Sequence, residues 1–329
     1  MSPLWIGRRM SVGIGLESTR GVGVAPSYWL NTLSFSFNDV VDRALSEAAF
    51  GGIWGGDQAP VTLTHAEGDI ETEVGDQSLG LLLTAVMGGA ASTSGPTDTT
   101  AYTHVWTLTN TNQHKSLSIH TIDPIGQQLF EMAMIDTFEL RFEPNEIVSA
   151  NIGFMSKASA DSSGQTASYG AEKKFLGRFL TFKVAAVTGD LAAASGVNLK
   201  SLTLRFEKNA EVQATLSTIQ PEDIVNRRFN VTGEIVLNYE DRTWLNYVKN
   251  GDYKAVRFDV VHEDLITGAA TTYYQLTIDL SKVAFESWDP DLANDEVATQ
   301  TLSFTALYDA GANDNVVNDC TLVNGVVSY

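Results

Sequence analysis

A passage that begins at Gly68-Asp69-Ile70 occurs again, 165 residues further on, at Gly233-Glu234-Ile235. In each copy an alternating run gives way to a short stretch of helical spacing. Residues 68–74 and 233–239 alternate apolar with polar at period two, the pattern of half-buried strands. Asp76 then stands as the N-cap of a helix over 77–87, with Leu79, Leu82, Leu83 and Val86 on one face and Gly88-Gly89 at its end. At the same offset Asp241 caps a helix over 242–249, with Trp244, Leu245 and Val248 inward and Asn250-Gly251 as the stop. A chain built this way must fold the same strand-to-helix turn twice.

The surroundings of the two passages agree. Ahead of the first, Leu33, Phe35 and Phe37 alternate with Ser34 and Ser36; ahead of the second, Leu202, Leu204 and Phe206 alternate with Thr203 and Arg205. Behind them, Ile147-Val148-Ser149-Ala150-Asn151-Ile152-Gly153-Phe154 shares its apolar spacing with Val297-Ala298-Thr299-Gln300-Thr301-Leu302-Ser303-Phe304, at a shorter offset. Phe138, Leu140 and Phe142 alternate with Glu139, Arg141 and Glu143, and further period-two runs cover 103–109, 117–123, 255–262, 273–280 and 299–307. The ordered series marks an internal duplication in a mainly β chain, each copy carrying one short helix. The expected organisation is an N-terminal arm at 1–29, one unit at 30–157, a Ser/Ala/Gly-rich linker at 158–171 and a second unit at 172–329.

Length and composition agree with two ordinary cores. A chain of 329 residues exceeds the size at which a single core stops growing, and 43% hydrophobic against 19% charged residues excludes disorder. Acidic residues outnumber basic ones 40 to 21, for a formal net charge of -19. Both halves are acidic, residues 1–165 standing at -11 and 166–329 at -8. Such a chain repels polyanions, because Lys and Arg on phosphates supply most non-specific nucleic-acid affinity. Cys320 is the sole cysteine, which rules out an intrachain disulfide and a multi-thiolate metal site and fits a reducing cytoplasm. Arg8 and Arg9 are followed by no apolar h-region, so no secretion signal is expected. The most apolar run, 79–86, falls far short of the ~20 residues that span a bilayer, and no membrane partner is expected.

No catalytic, cofactor or metal site is expected. His65, His104, His114, His120 and His262 are scattered, without H-E-x-x-H or paired Cys/His spacing, and read as exposed or core-satisfied. Cys320 lies in an Asn/Val-rich tail with no base nearby in sequence. The glycines of the N-terminal arm and of Gly51-Gly52-Ile53-Trp54-Gly55-Gly56 lack the Gly-Lys-Ser/Thr and strand–helix context of phosphate loops. Asp289, Asp291, Asp295 and Glu296 miss the EF-hand spacing and read as a solvated loop. Asp69, Glu71 and Glu73 share one strand face, either a wet surface or an anionic wall.

Three segments carry a family resemblance. Gly7-Arg8-Arg9, Gly13-Ile14-Gly15-Leu16-Glu17-Ser18-Thr19-Arg20-Gly21 and Ala25-Pro26 resemble the opening of the tail tube proteins of long-tailed, siphovirus-type bacteriophages. Gly68-Asp69-Ile70-Glu71-Thr72-Glu73 with Leu79-Gly80-Leu81-Leu82-Leu83 and Gly88 is similar to their strand-then-helix core. Phe138-Glu139-Leu140 through Ile147–Phe154 is similar to their closing strands. The resemblance implies a β-sandwich or half-barrel with one flanking helix, whose sheets join between subunits into a β-barrel tube. It implies a self-assembling structural subunit of the virion tail, made in the host cytoplasm, whose stacked rings conduct DNA into the host. Two units per chain would make a ring of three chains with pseudo-sixfold symmetry, a hexamer of whole chains being the alternative. Implied partners are the tape measure, tail terminator and tail tip proteins, with double-stranded DNA passing without specific binding. Asp69, Glu71, Glu73 and Glu234 are then candidates for the lumen wall. Loops at 40–60 and 209–227 would grip the next ring, with Phe50, Ile53 and Trp54 as apolar anchors in the first.

Rival readings stay open. A secreted or surface β-sandwich binding module, such as an adhesin or carbohydrate-binding domain, would use surface Trp and Tyr but predicts a signal peptide or disulfides. A β-rich hydrolase would need paired carboxylates at a separation that sequence does not give. A related structural reading is the tube of a secretion or contractile injection system, which shares the fold but usually uses a single unit per chain.

Overall fold

The structure, a computed structural model, describes residues 4–311 and 315–329; the first three residues of the expected arm and residues 312–314 lie outside it. Half of the chain is strand and 8% helix, as the alternating runs predict. The strands of the first half are β1 (Ser11–Leu16), β2 (Tyr28–Leu30), β3 (Thr32–Phe35), β4 (Asn38–Arg43) and β5 (Val61–Glu73). After helix α1 (Ser78–Met87) come β6 (Ser92–Asp98), β7 (Ala101–Trp106), β8 (Leu117–Ile122), β9 (Gln127–Phe142), β10 (Ser149–Lys157) and β11 (Ala160–Ser162). The second half holds β12 (Leu180–Ala185), β13 (Gly196–Val197), β14 (Leu199–Glu207), β15 (Glu211–Gln213), β16 (Asp223–Val225) and β17 (Asn230–Asn238). Helix α2 (Thr243–Asn250) leads into β18 (Tyr253–Leu265), β19 (Tyr273–Asp291), β20 (Thr299–Ala306) and β21 (Asp319–Asn324).

One antiparallel sheet runs through both halves. From edge to edge its order is β3/β4, β5, β10, β9, β14, β17, β20, β19. The joint between halves is the ladder of β9 with β14, where Phe142 faces Leu202, Leu140 faces Leu204 and Phe138 faces Phe206. Strands β9 and β19 are long enough to extend beyond this order, β9 taking part in four ladders and β19 in three. The first part of β9 pairs with β8 and β11, and β8 continues to β1 and β2. The first part of β19 pairs with β18 and β21, and β18 continues to β12 and β13. Strand β21 also pairs with β7, so the C-terminal residues, a tail by sequence, make a second joint between the halves. Residues 11–16, set apart in the sequence reading as part of an arm, pair with β8 along their whole length, and Val12 and Ile14 are buried.

The pairings of the two halves agree in register. In the first, Ile70 faces Ile152 and Gly68 faces Phe154; in the second, Ile235 faces Leu302 and Gly233 faces Phe304. A Cβ on Gly233 would lie 2.3 Å from the Phe304 ring, so the opposing aromatic demands glycine there. The β10–β9 ladder slips by one residue at Asp136 and the β20–β19 ladder at Glu286, the same place counted from the facing Phe. The β3–β5 ladder slips at Leu33 and the β14–β17 ladder at Lys200, again at matching positions. That bulge turns Leu33 outward, 56% exposed, where simple alternation puts it in the core beside Phe35 and Phe37.

The helices differ from each other. α2 is one-sided: Trp244 is buried against Phe182 and Phe285, Leu245, Tyr247 and Val248 are half-buried, with Tyr247, which the spacing did not single out, stacked on Phe285, and the rest faces out. Asp241 accepts from the Thr243 N–H at 2.8 Å and caps it. α1 is buried on every side rather than one, all ten residues from Ser78 to Met87 being inaccessible. Its cap is also not Asp76. The Glu172 carboxylate accepts from the Ser78 N–H at 2.7 Å and hydroxyl at 2.9 Å, while Asp76 accepts from the Lys173 N–H at 2.6 Å. The segment arriving from the linker lies over this helix start, and residue 172 reaches the orphan N–H that a local cap serves on an exposed helix. Both helices end on a left-handed glycine, Gly88 and Gly251.

Candidate functional site

Alternation along the through-going sheet sends every second side chain to one polar face. Opposite it lie Ile70, Ile152, Phe138, Leu204, Ile235 and Leu302 in the core; on it lie Asp69, Glu71, Glu73 and Glu234. Glu73 and Glu234 belong to the same cross-strand row, with Ser149, Arg141 and Thr203 between them. Four strand spacings separate them, about 19 Å, beyond the ~8 Å over which physiological salt lets exposed charges interact. Small polar side chains, Asn151, Thr232, Ser303 and Thr305, fill the rest of the surface.

The face is acidic in sum, not uniformly. The next row carries Glu71, Asn151, Glu139 and Arg205, and the row after it Asp69, Gly153, Thr137 and Glu207. Glu139 sits between two guanidiniums, 2.7 Å from Arg141 and 3.5 Å from Arg205, and Arg205 lies 2.8 Å from Glu207. Lys174 approaches Glu73 at 3.7 Å. Sequence reasoning missed Glu139, Glu207, Arg141 and Arg205 as members of this face. Their alternation was readable, but that β9 and β14 are neighbours was not, and only that pairing puts them beside the four candidates.

The loop candidates stand apart from this face. Residues 44–60 extend the β4–β5 hairpin, with Ala44 N–H on the Pro60 carbonyl and Ser46 N–H on the Gln58 carbonyl. At its tip Phe50, Ile53 and Trp54 are 54, 101 and 74% exposed, so the loop does not fold these side chains back onto its own half. The 209–227 loop contains the β15–β16 ribbon and leans on that hairpin, the Ile219 carbonyl accepting from the Thr64 N–H at 2.7 Å. It adds exposed Leu216 and Ile219 to the apolar surface, side chains that sequence reasoning did not single out.

The glycine-rich opening of the chain ties these parts together. The buried Glu17 carboxylate accepts from the Gly21 and Met132 N–H groups and from the Ser116 and Ser118 hydroxyls, at 2.6 to 3.0 Å. Arg20 pairs with Asp223 and donates to the Ile224 carbonyl at 2.8 Å, holding the base of the 209–227 loop. Just before that loop, Lys208 is fully buried, its ammonium on the Ala85 carbonyl at 2.8 Å at the end of α1. Burial, with the Arg20 charge adding to it, lowers its pKa to about 7. These charges anchor the loop. All five histidines are buried, Cys320 is buried with its thiol pushed well up by burial, and among the described residues no three His, Cys, Asp or Glu side chains group to hold a metal. Among the described residues no helix is long and apolar enough to cross a membrane.

The model of the family described as phage tail tube protein matches residues 7–306. A comparison with curated proteins finds no match.

Proposed function

The chain belongs to the phage tail tube protein family, and from that premise we propose that it is the repeating ring subunit of a long-tailed phage tube that conducts the genome into the host. As a member it is a structural component of the virion tail that associates with itself into a tube. The finer reading is a ring of three chains, each giving two units, 30–157 and 172–329, with pseudo-sixfold symmetry. The matching registers and bulges of the two halves support that count. The observation that carries the proposal is the through-going sheet: one polar face and two edges that are unpaired among the described residues, in a chain whose two halves already join strand to strand.

The polar face is our candidate for the lumen wall, with Asp69, Glu71, Glu73 and Glu234 among its acids. A wall of net negative charge repels phosphates, and its few Arg side chains are occupied by carboxylates. Binding DNA there would release few condensed counterions, so the duplex slides without being trapped. The exposed tip at Phe50, Ile53 and Trp54 is our candidate for the contact between stacked rings. The tape measure, terminator and tip proteins are the remaining proposed partners, with assembly in the host cytoplasm. Native mass measurement with negative-stain microscopy tests the reading: rings of three chains and tubes are expected. Monomers alone at high concentration, even with tail partners added, would refute it.

A further inference from the structure

The segments that lead into the two halves are copies of each other, and one of them is docked while the other is exposed. Gly7–Arg9 and Gly177–Phe179 form the same 3₁₀ turn, the Arg9 N–H donating to the Ile6 carbonyl at 3.1 Å and the Phe179 N–H to the Leu176 carbonyl at 3.0 Å. Ile6 and Leu176 enter it with the same extended backbone, φ -111° and -108°. Strands β1 and β12 follow, with Val12 and Phe182 buried at matching places. Leu4, Trp5 and Ile6 are therefore the counterparts of Lys174, Phe175 and Leu176. The latter three lie on the first half: the Phe175 N–H donates to the Val74 carbonyl at 3.2 Å, its carbonyl accepts from the Val148 N–H at 2.9 Å, Lys174 faces Gly75 and Leu176 faces Ile147. Phe175 is 1% exposed, whereas Leu4, Trp5 and Ile6 are 98, 45 and 67% exposed.

The corresponding place on the second half is built but open. Tyr239 and Ala298 stand where Val74 and Val148 do, each first residue donating its N–H to the carbonyl of the second at 2.9 Å. Beside them a cavity of about 360 Å³ is lined by Glu240, Asp241 and Thr243, the counterparts of Gly75, Asp76 and Ser78, which residues 172–174 hold in the first half. Asn238 lines it too, and its buried side-chain oxygen has no donor among the described residues. Val297, the counterpart of Ile147, is exposed.

We propose, resting on the tube reading, that Leu4, Trp5 and Ile6 of one copy dock on the second half of a neighbouring copy as residues 174–176 dock on the first half of their own chain. Within the chain the docked segment lies on the half before its own; the second half follows the first, so the equivalent acceptor for residues 4–6 is another copy. The Tyr239 carbonyl and Ala298 N–H take the Trp5 backbone, and Ile6 comes to face Val297. Main-chain bonds supply affinity in such strand addition, and the neighbouring pocket supplies specificity. The sequence ahead of Leu4 suits this acceptor, since Ser2 and Pro3 stand where Glu172 and Lys173 do. An acid at position 2 would meet Glu240 and Asp241. Asp241 already accepts from the Thr243 N–H, so it needs no N–H such as Lys173 gives Asp76.

The test is a disulfide between copies. Ile6→Cys with Val297→Cys places two thiols on residues that the docking opposes directly, with Cβ atoms about 5 Å apart. Both positions are exposed in the single chain, so neither change should disturb folding. Cys320 is buried and does not compete. Oxidised assemblies should give reducible species of two and three chains, each single variant giving none. Ile6→Cys with Asp295→Cys, two residues off register, should cross-link at least tenfold less. Hydrogen exchange on the parent chain gives a second readout: the Ala298 amide should exchange at least tenfold more slowly after assembly. Assemblies without the cross-link, with equal cross-linking off register, with a disulfide confined to one chain, or with no slowing at Ala298 would overturn the docking and leave the conduit reading standing. Failure of the parent chain to assemble at all would overturn both.

Discussion

Glu17 and Asp76 are both buried carboxylates, and their surroundings give them opposite energetic roles. Glu17 meets four donors, which close the turn over residues 17–21 onto β8 and β9. Asp76 is held by one backbone N–H, in a site that burial and nearby Glu172 make hostile to charge, and its pKa rises from 3.8 to about 6. An acid whose folded pKa is raised contributes most below its unfolded pKa, and that contribution is lost as pH climbs through the folded one. Between pH 4 and 6 the loss is on the order of 2 kcal/mol. Asp76→Asn keeps an acceptor for Lys173 and cannot ionise. It is expected to unfold at a higher temperature than the parent at pH 7.5 and at about the same temperature at pH 4. Melting curves across that range showing unchanged pH dependence would remove Asp76 from this role.

Among the elements, α1 is the most constrained. Gly80 lies under the Tyr329 ring, whose hydroxyl donates to the Gln77 carbonyl at 2.9 Å, and a methyl at Gly80 would come within 2.1 Å of that ring. Gly→Ala inside a helix ordinarily gains up to about 1 kcal/mol, but here the added carbon displaces a buried aromatic. Gly80→Ala is therefore expected to cost about 2 kcal/mol, read as a lower denaturant midpoint with unchanged slope. The hairpin tip shows the reverse case. Ile53 and Trp54 touch little of their own chain, so Ile53→Ser with Trp54→Ser should leave stability within about 0.5 kcal/mol. Tubes should nonetheless be lost, leaving free rings. Unchanged tubes under the microscope would sink the stacking role.

At the scale of the whole molecule, the two halves are not beads on a string. The ladders β9–β14 and β7–β21 both cross between them, and a single buried apolar cluster continues from Val12 to Val323. Separating the halves would expose four strand edges, those of β9, β14, β7 and β21, and cut that cluster. The unassembled chain is expected to melt in one calorimetric transition, with van't Hoff and calorimetric enthalpies equal. Two resolved peaks would show that the joint contributes little to folding.

The sequence by itself determined what is local and periodic: the strands of the central sheet, the one-sided α2, the glycine stops of both helices and the repeated order of elements. Period-two alternation also settled which side of each strand is polar, so Asp69, Glu71, Glu73 and Glu234 could be named before any pairing was known. Tertiary structure decided what depends on neighbours distant in the chain. Alternation does not say which strand lies beside which, so the Arg141 and Arg205 partners of Glu139 emerged only with the β9–β14 ladder. A bulge, which shifts one side chain without altering composition, turned Leu33 outward. Burial of a helix start beneath residues from the linker handed the cap from Asp76 to Glu172, 94 positions from Ser78 in the chain. Each of these rests on long-range pairing, which hydrophobic spacing within one segment cannot encode.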